Sequence, residues 1–214
     1  MNNITELVFI LDMSGSMADM KSDTIGGFNS MLNEQKEKEG ECFVTTVLFN
    51  TEYRTIHDRL PLEKVPEMTK KDYVPQSCTA LIDAIGQTID HIGNVHRYIR
   101  SEDVPAHTLF VIMTDGLENA SRNYTSTKVK QMIEDRKKYS GWEFVFIGAN
   151  IDAVETARHF GIHEDHAVDY FCDSEGSDVV YKSVSKLASS MRGGQAYNAS
   201  WSAPIKENFK KKRR

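Results

Sequence analysis

The 214-residue chain is poor in cysteine, proline and long apolar runs, and each shortage closes off a class of protein. Its three cysteines, Cys42, Cys78 and Cys172, are far apart and odd in number and contain no C-x-x-C pair. Neither a disulfide framework nor a thiolate zinc site is expected, and reduced, mostly packed thiols follow. The longest apolar runs, LVFIL, LFVIM and FVFI, have the length of a strand, far short of the roughly 20 residues that span a bilayer. The opening residues MNNITE lack the basic and apolar regions of a secretory signal, which points to the cytoplasm. The Asn-x-Ser/Thr matches at Asn3, Asn119, Asn123 and Asn198 then carry no weight.

What is present suits one soluble globular domain: 40% of the residues are hydrophobic and 27% charged. The net charge of -5 conceals a split. The last nine residues, KENFKKKRR, hold six basic and one acidic side chain, a local +5 that leaves -10 on the remainder. An acidic body argues against nucleic acid, whose binding needs clustered Lys and Arg. The basic tail reads either as a contact for an acidic partner or as a solvated end, and the second is expected.

Along the chain, Leu7 to Asp12 forms a short apolar run suited to a strand buried on both faces, followed by a helical pattern from about Ala18 to Glu39. CFVTTVLFN and YRTIHDRL read as an antiparallel hairpin whose more polar second strand lies at a sheet edge. Residues 61 to 78, with three prolines and much charge, read as a long surface connection. An amphipathic helix follows Thr79 and runs to about Arg100, with Leu81, Ile85, Ile89 and Ile92 on its stripe. Strands are then expected at His107 to Thr114, Glu143 to Gly148 and Ala167 to Tyr170. Helices are expected at Ser126 to Tyr139, Ala153 to Phe160 and Ser177 to Met191. The alternation implies a doubly wound α/β fold, a mostly parallel central sheet with one antiparallel edge strand and helices on both faces. Residues 1–192 form this domain, and 193–214 an irregular C-terminal segment with the basic tail.

In such sheets ligands gather beyond the carboxyl ends of the strands. There the chain places Asp12, Ser14 and Ser16 after the first strand, Thr79 before the long helix, and Asp115 after His107 to Thr114. Two carboxylates and three hydroxyls are oxygen donors only, the ligand set of a hard cation such as Mg²⁺. Taken alone, Asp12-x-Ser-x-Ser reads first as a helix cap; the ordered combination with Thr79 and Asp115 favours the metal.

The stretch LVFILDMSGSM, with Thr79 in SCTALIDAI and Asp115 in VIMTDGLEN, resembles the Asp-x-Ser-x-Ser and partner motifs of von Willebrand factor A-type (VWA) domains, over roughly residues 5 to 190. The resemblance implies a Rossmann-like fold with a metal-ion-dependent adhesion site (MIDAS), in which Ser14 and Ser16 bind the ion directly. Asp12 and Asp115 would act largely through water and hydrogen bonds, and Thr79 would move between the two modes. One departure is Ser77-Cys78, where such domains often carry a glycine before the threonine.

Other features have competing readings. His163-Glu164-Asp165-His166 departs from H-E-x-x-H and reads as a solvated loop. Cys78 is either redox-sensitive beside the site or, as expected, a small packed thiol. Met13, Met17 and Met20 read either as a soft rim or as core.

The expected function is that of a cytoplasmic Mg²⁺-dependent protein-binding adaptor, not an enzyme, which captures an Asp or Glu carboxylate of a partner; Mn²⁺ or Ca²⁺ would serve as the ion too. The resemblance adds that stand-alone domains of this kind work beside AAA-type ATPases or in stress-response assemblies. The alternatives are a metal-assisted phosphatase with Asp12 as nucleophile, and a scaffold whose ion is only structural.

Overall fold

A computed structural model describes residues 3–213. Six strands form one sheet in the order β3-β2-β1-β4-β5-β6. They are β1 (Thr5–Asp12), β2 (Cys42–Phe49), β3 (Tyr53–Pro61), β4 (His107–Thr114), β5 (Glu143–Ala149) and β6 (Ala167–Tyr170). Every pairing is parallel except β2 with β3, the antiparallel edge hairpin. The fold class expected from the sequence is the one observed.

Alternate residues of the central strands point to opposite faces. Leu7, Phe9 and Leu11 join one core with α1 (Lys21–Lys36) and α5 (Ser174–Arg192). Val8 and Ile10 join another with α2 (Leu81–Tyr98), α3 (Ser126–Ser140) and α4 (Ala153–His159). From β1 the chain first moves outward to β2 and later returns to β4 on β1's other side, so the order reverses between β1 and β4. In open α/β sheets that reversal opens a crevice at the carboxyl ends. Asp12 closes β1 and Thr114 closes β4 at this point.

One sequence expectation needs refining and another correcting. The segment 61–78 runs over the surface as expected, with most of its residues exposed, but it is not loose: Leu62, Val65, Met68 and Tyr73 are buried in the α1/α5 core. The Asn29 amide pins it to α1, donating to the Met68 carbonyl and accepting from the Met68 N–H, each at 2.9 Å. Pro61, Pro66 and Pro75 interrupt regular structure without preventing burial. The C-terminal segment is likewise neither wholly irregular nor a free end. A 3₁₀ turn at Ala199–Ser202 leads into α6 (Ala203–Lys212). Trp201 and Ile205 enter the core, Phe209 packs on Phe171 with ring centroids 4.8 Å apart, and Lys212 pairs with Asp173 at 2.6 Å and Glu175 at 3.0 Å. These three apolar residues recur every four positions, a single stripe that surrounding cations conceal. Arg214, the end of the basic run, lies outside the described residues.

One buried cation ties α1 to α5. Arg192 donates to the Gln35 carbonyl and, through Nη2, to the carbonyls of Lys38 (2.9 Å) and Gly40 (2.8 Å). It thereby serves the unpaired acceptors at the C-terminal end of α1. Gln35 returns the contact, its Nε2 donating to the Ser185 carbonyl at 2.9 Å. Arg192→Ala strands several buried acceptors at once, and urea denaturation is expected to show a loss of about 2–4 kcal/mol. Arg192→Lys is expected to recover only part of it, since an ammonium lacks the planar fork that spans these carbonyls.

Candidate metal centre

Asp12 is buried where β1 ends, with both oxygens engaged. Oδ1 accepts the Ser14 N–H at 2.7 Å, and Oδ2 accepts the hydroxyl of Thr114 on the neighbouring strand. The Asp12 carbonyl accepts from the hydroxyl of Tyr73, which is fully buried beneath it. The next residue is held on both sides, the Met13 N–H donating to the Phe49 carbonyl at 2.6 Å and the Met13 carbonyl accepting from the Gln76 N–H at 3.0 Å.

The capping alternative for Asp12-x-Ser-x-Ser does not hold. A 3₁₀ turn at Gly15–Ala18 intervenes before α1, and neither it nor α1 has a side-chain cap. The Ser14 and Ser16 hydroxyls instead lie 3.1 Å apart, and Ser16 donates to Asp115 Oδ1 at 2.6 Å. Residues 99 positions apart in sequence thus meet at the β1/β4 crevice.

Thr79 completes the group. A Cβ placed on Gly116 would lie 3.1 Å from Thr79 Oγ1 and 3.8 Å from Ser16 Oγ, so the loops after β1, before α2 and after β4 converge on this glycine. Its role is close approach rather than a special backbone angle. All five residues singled out in the sequence therefore surround one crevice.

Sequence reasoning missed the residues that brace it. Asn119 accepts the Thr79 N–H at 2.9 Å with its side chain, and its own N–H donates to the Thr79 carbonyl at 3.1 Å. The first residue before α2, Ala80, offers no capping side chain. Glu118 and Ser121 supply one from the loop after β4, accepting the N–H groups of Ile82 at 2.8 Å and Asp83 at 2.9 Å. Asp83 answers by accepting the N–H groups of Arg122, Asn123 and Tyr124. Such cross-loop pairs leave no spacing signal in the sequence; a polar run, DGLENAS, is all that shows.

At Ser77, where a glycine was expected, φ is +65°, the left-handed region that glycine enters freely. The Ser77 carbonyl is thereby placed to accept the Gly15 N–H at 3.1 Å, linking the second loop to the first. Cys78 is exposed, which corrects the expectation of a packed thiol; Cys42 is buried and Cys172 partly so. Met13, Met17 and Met20 belong to the core. In the His163 to His166 stretch the histidines diverge: His163 Nδ1 accepts the Asp165 N–H, whereas His166 lies 3.1 Å from Glu143 and stacks on Tyr197.

The electrostatics of the crevice are unbalanced. Burial raises the Asp12 carboxyl above its ordinary range; hydrogen bonds from Thr114 and Ser14 oppose this and the Asp115 charge adds to it. Burial also raises Asp115, against the hydrogen bond from Ser16. Among the described residues no lysine, arginine or histidine lies within 4 Å of either. No group of three or more His, Cys, Asp or Glu suited to a metal occurs among them either. A cation here would rely on hydroxyl oxygens beside two acids, a donor set that fits a hard divalent ion.

No protein-family model matches the sequence, and no curated protein does. Solved structures do match. Proximal thread matrix protein 1 of the mussel byssus, in a form with zinc in its MIDAS motif, superposes with a TM-score of 0.56 at 14% identity, over 86% of this chain and 46% of that one. A von Willebrand factor type A protein from Catenulispora acidiphila gives 0.57 at 12%, over 86% and 42%. The vWF domain of the pilus tip protein Mfa5 from Porphyromonas gingivalis gives 0.62 at 10%, over 91% and 97%. The chain spans less than half the length of the first two. These likenesses establish the fold, which is that of a VWA domain.

Two predictions follow from the crevice. Both acids have folded-state affinities for protons above their unfolded values, so their contribution favours the fold below the unfolded carboxylate range and is lost as pH rises through the raised values. In EDTA, Asp115→Asn is therefore expected to be more stable than the parent at pH 7, with the gap narrowing on acidification; thermal melts across pH 4–8 measure it. For Ser77→Gly, relief of a left-handed cost of about 1–2 kcal/mol outweighs the added unfolded-state entropy of about 0.4–1 kcal/mol. Denaturation is expected to show unchanged or slightly higher stability, whereas β-branched Ser77→Val lowers it.

Proposed function

We propose that Asp12, Ser14, Ser16, Thr79 and Asp115 form a MIDAS that takes a divalent cation, Mg²⁺ in the first instance, and that the protein uses it to capture an Asp or Glu carboxylate of a partner protein. The observation that carries this reading is the burial of two carboxylates beside three hydroxyls with no protein cation to balance them. The zinc-bearing MIDAS of the byssus protein, on the same fold, supports a divalent ion at this position.

The side chains divide the work. Asp115 holds the Ser16 hydroxyl proton, which leaves lone pairs of that oxygen for an ion. Asp12 fixes the Ser14 backbone and so the aim of its hydroxyl. Asn119, gripping Thr79 through backbone and side chain, sets the third hydroxyl. A dication bound mainly through neutral hydroxyls keeps enough positive charge to accept a further carboxylate. Around the crevice Ser16, Ser77, Cys78, Leu117 and Asn119 are exposed and uncharged, so an arriving acid meets no competing surface charge from them.

The phosphatase alternative is the weaker one. An attacking Asp12 would need a free oxygen, yet both of its oxygens accept hydrogen bonds and the residue is 1% exposed. Among the described residues no helix is long and apolar enough to cross a membrane. Three free thiols, one of them exposed beside the site, suit the reducing cytoplasm proposed as the location.

Saturating Mg²⁺ at about 100 times its Kd is expected to add about 2.7 kcal/mol to the parent's stability and to leave Asp12→Ala unshifted. No Mg²⁺-induced shift in the parent would sink the site. Affinity capture from the native host, repeated with EDTA and with Asp12→Ala, separates the adaptor from a scaffold with a structural ion. The adaptor loses its partner under both conditions while staying folded; the scaffold keeps it.

A further inference from the structure

At the opposite end of the sheet, where α2 and α3 finish, a recess of about 410 Å³ opens between the two helices and the start of β5. Arg97, Arg136 and His96 line it, together with Trp142 and Tyr139, and none of its lining residues is acidic. In a chain with net charge -5 such a wall is unusual. Arg54, Arg59, Arg100 and Arg158 pair with carboxylates, and Arg192 serves carbonyls. Arg97 and Arg136 have no acidic partner within 4 Å among the described residues.

Arg136 is also held in place. Its guanidinium carbon lies 4.8 Å from the centroid of the Trp142 ring, a cation–π contact. It passes so close to α2 that a Cβ on Gly93 would lie 2.0 Å from Nη2. The absence of a side chain at Gly93 is therefore what admits this guanidinium to the recess. His96 is anchored from behind, its Nε2 2.6 Å from the buried Glu6, whose charge Arg59 shares at 3.5 Å. The adjoining stretch of groove, which shares Arg97 and Arg136, is lined by Asp90 and Asp135; these accept from the Tyr124 hydroxyl at 2.7 Å and the Gln131 amide at 2.9 Å and lie more than 4 Å from either guanidinium.

Cations in the last turn of a helix offset its dipole, and Arg97 does so for α2, whereas α3 has Lys137 and Lys138 in its last turn and Arg136 one place before it. That effect needs only nearby charge. It does not account for a guanidinium stacked on an indole, pressed through a glycine gap and set in a concave site with no carboxylate within 4 Å among the described residues. Two guanidiniums match a dianion, and the planar fork of arginine matches phosphate oxygens. The volume lies within the range of small-molecule sites. We propose that this recess binds a phosphate monoester, its phosphate on Arg97 and Arg136 and its organic part against the exposed ring of Tyr139. The site is independent of the metal crevice.

The test uses the full chain in EDTA with two probes, phenyl phosphate and phosphatidylcholine vesicles containing phosphatidic acid. A saturable thermal shift with phenyl phosphate, weakened about tenfold in Arg97→Gln and in Arg136→Gln, supports a free phosphate monoester. Co-sedimentation with the vesicles alone, lost in the same variants, supports the same chemistry with a lipid as its source. Should Arg136→Gln fail to fold, the exposed Arg97 still carries the comparison. Binding equal in parent and variants, binding of neither probe, or binding of a polyglutamate peptide alone overturns the proposal.

Discussion

The burial of two carboxylates in one crevice organises the carboxyl end of this sheet. Asp12 and Asp115 lie at the ends of adjacent parallel strands where strand order reverses, both desolvated, and the Asp115 charge raises the cost of ionising Asp12. Folding places them together because β1 and β4 pair in register from Thr5 with His107 to Leu11 with Met113. The apolar strands thus dictate an electrostatic arrangement that the acids would not choose. Hydrogen bonds from Ser14, Ser16 and Thr114 soften it, but neutral donors cannot cancel two negative charges.

The helix best placed to help does not. The N-terminus of α2 starts beside the crevice and carries the positive end of its dipole. Its first-turn amides are already committed, Ile82 to the Glu118 carboxylate and Asp83 to the Ser121 hydroxyl, and Asp83 adds its own negative charge. Glu118 and Asp83 therefore tie the loop after β4 to α2 and offset the dipole at the start of that helix. Rigidity of the loops and electronegativity of the crevice have the same cause.

Most of the fold was legible because its strands are short apolar runs buried on both faces; β4 and β6 have the bounds their sequences suggest. The start of α1 was less so, since the 3₁₀ turn at Gly15–Ala18 keeps a helical pattern without being the α-helix itself. Burial of Leu62, Val65 and Met68 was hidden by the charged residues between them, and α6 by the cations around Ile205 and Phe209. At the crevice, the five oxygen-bearing residues were legible through their order along the chain. Asn119, Glu118, Asp83 and Tyr73 were not, because each acts on a backbone group more than 30 residues away and only the folded chain brings them together. Ser77 lies between these cases: the missing glycine was visible, whereas the left-handed backbone retained without it was not.

The two ends of the molecule differ in how charge is left over. At the carboxyl end the sheet buries acids and withholds cations; at the other, Arg97 and Arg136 line a recess near the ends of α2 and α3 that has no acidic lining residue. Packing fixes the two acids through strand register at one end and Arg136 through Trp142 and Gly93 at the other, while Arg97 stays exposed. Charge that is merely surplus can be moved to the surface by a rotamer change. Charge locked by packing cannot, and it stays desolvated where the fold places it.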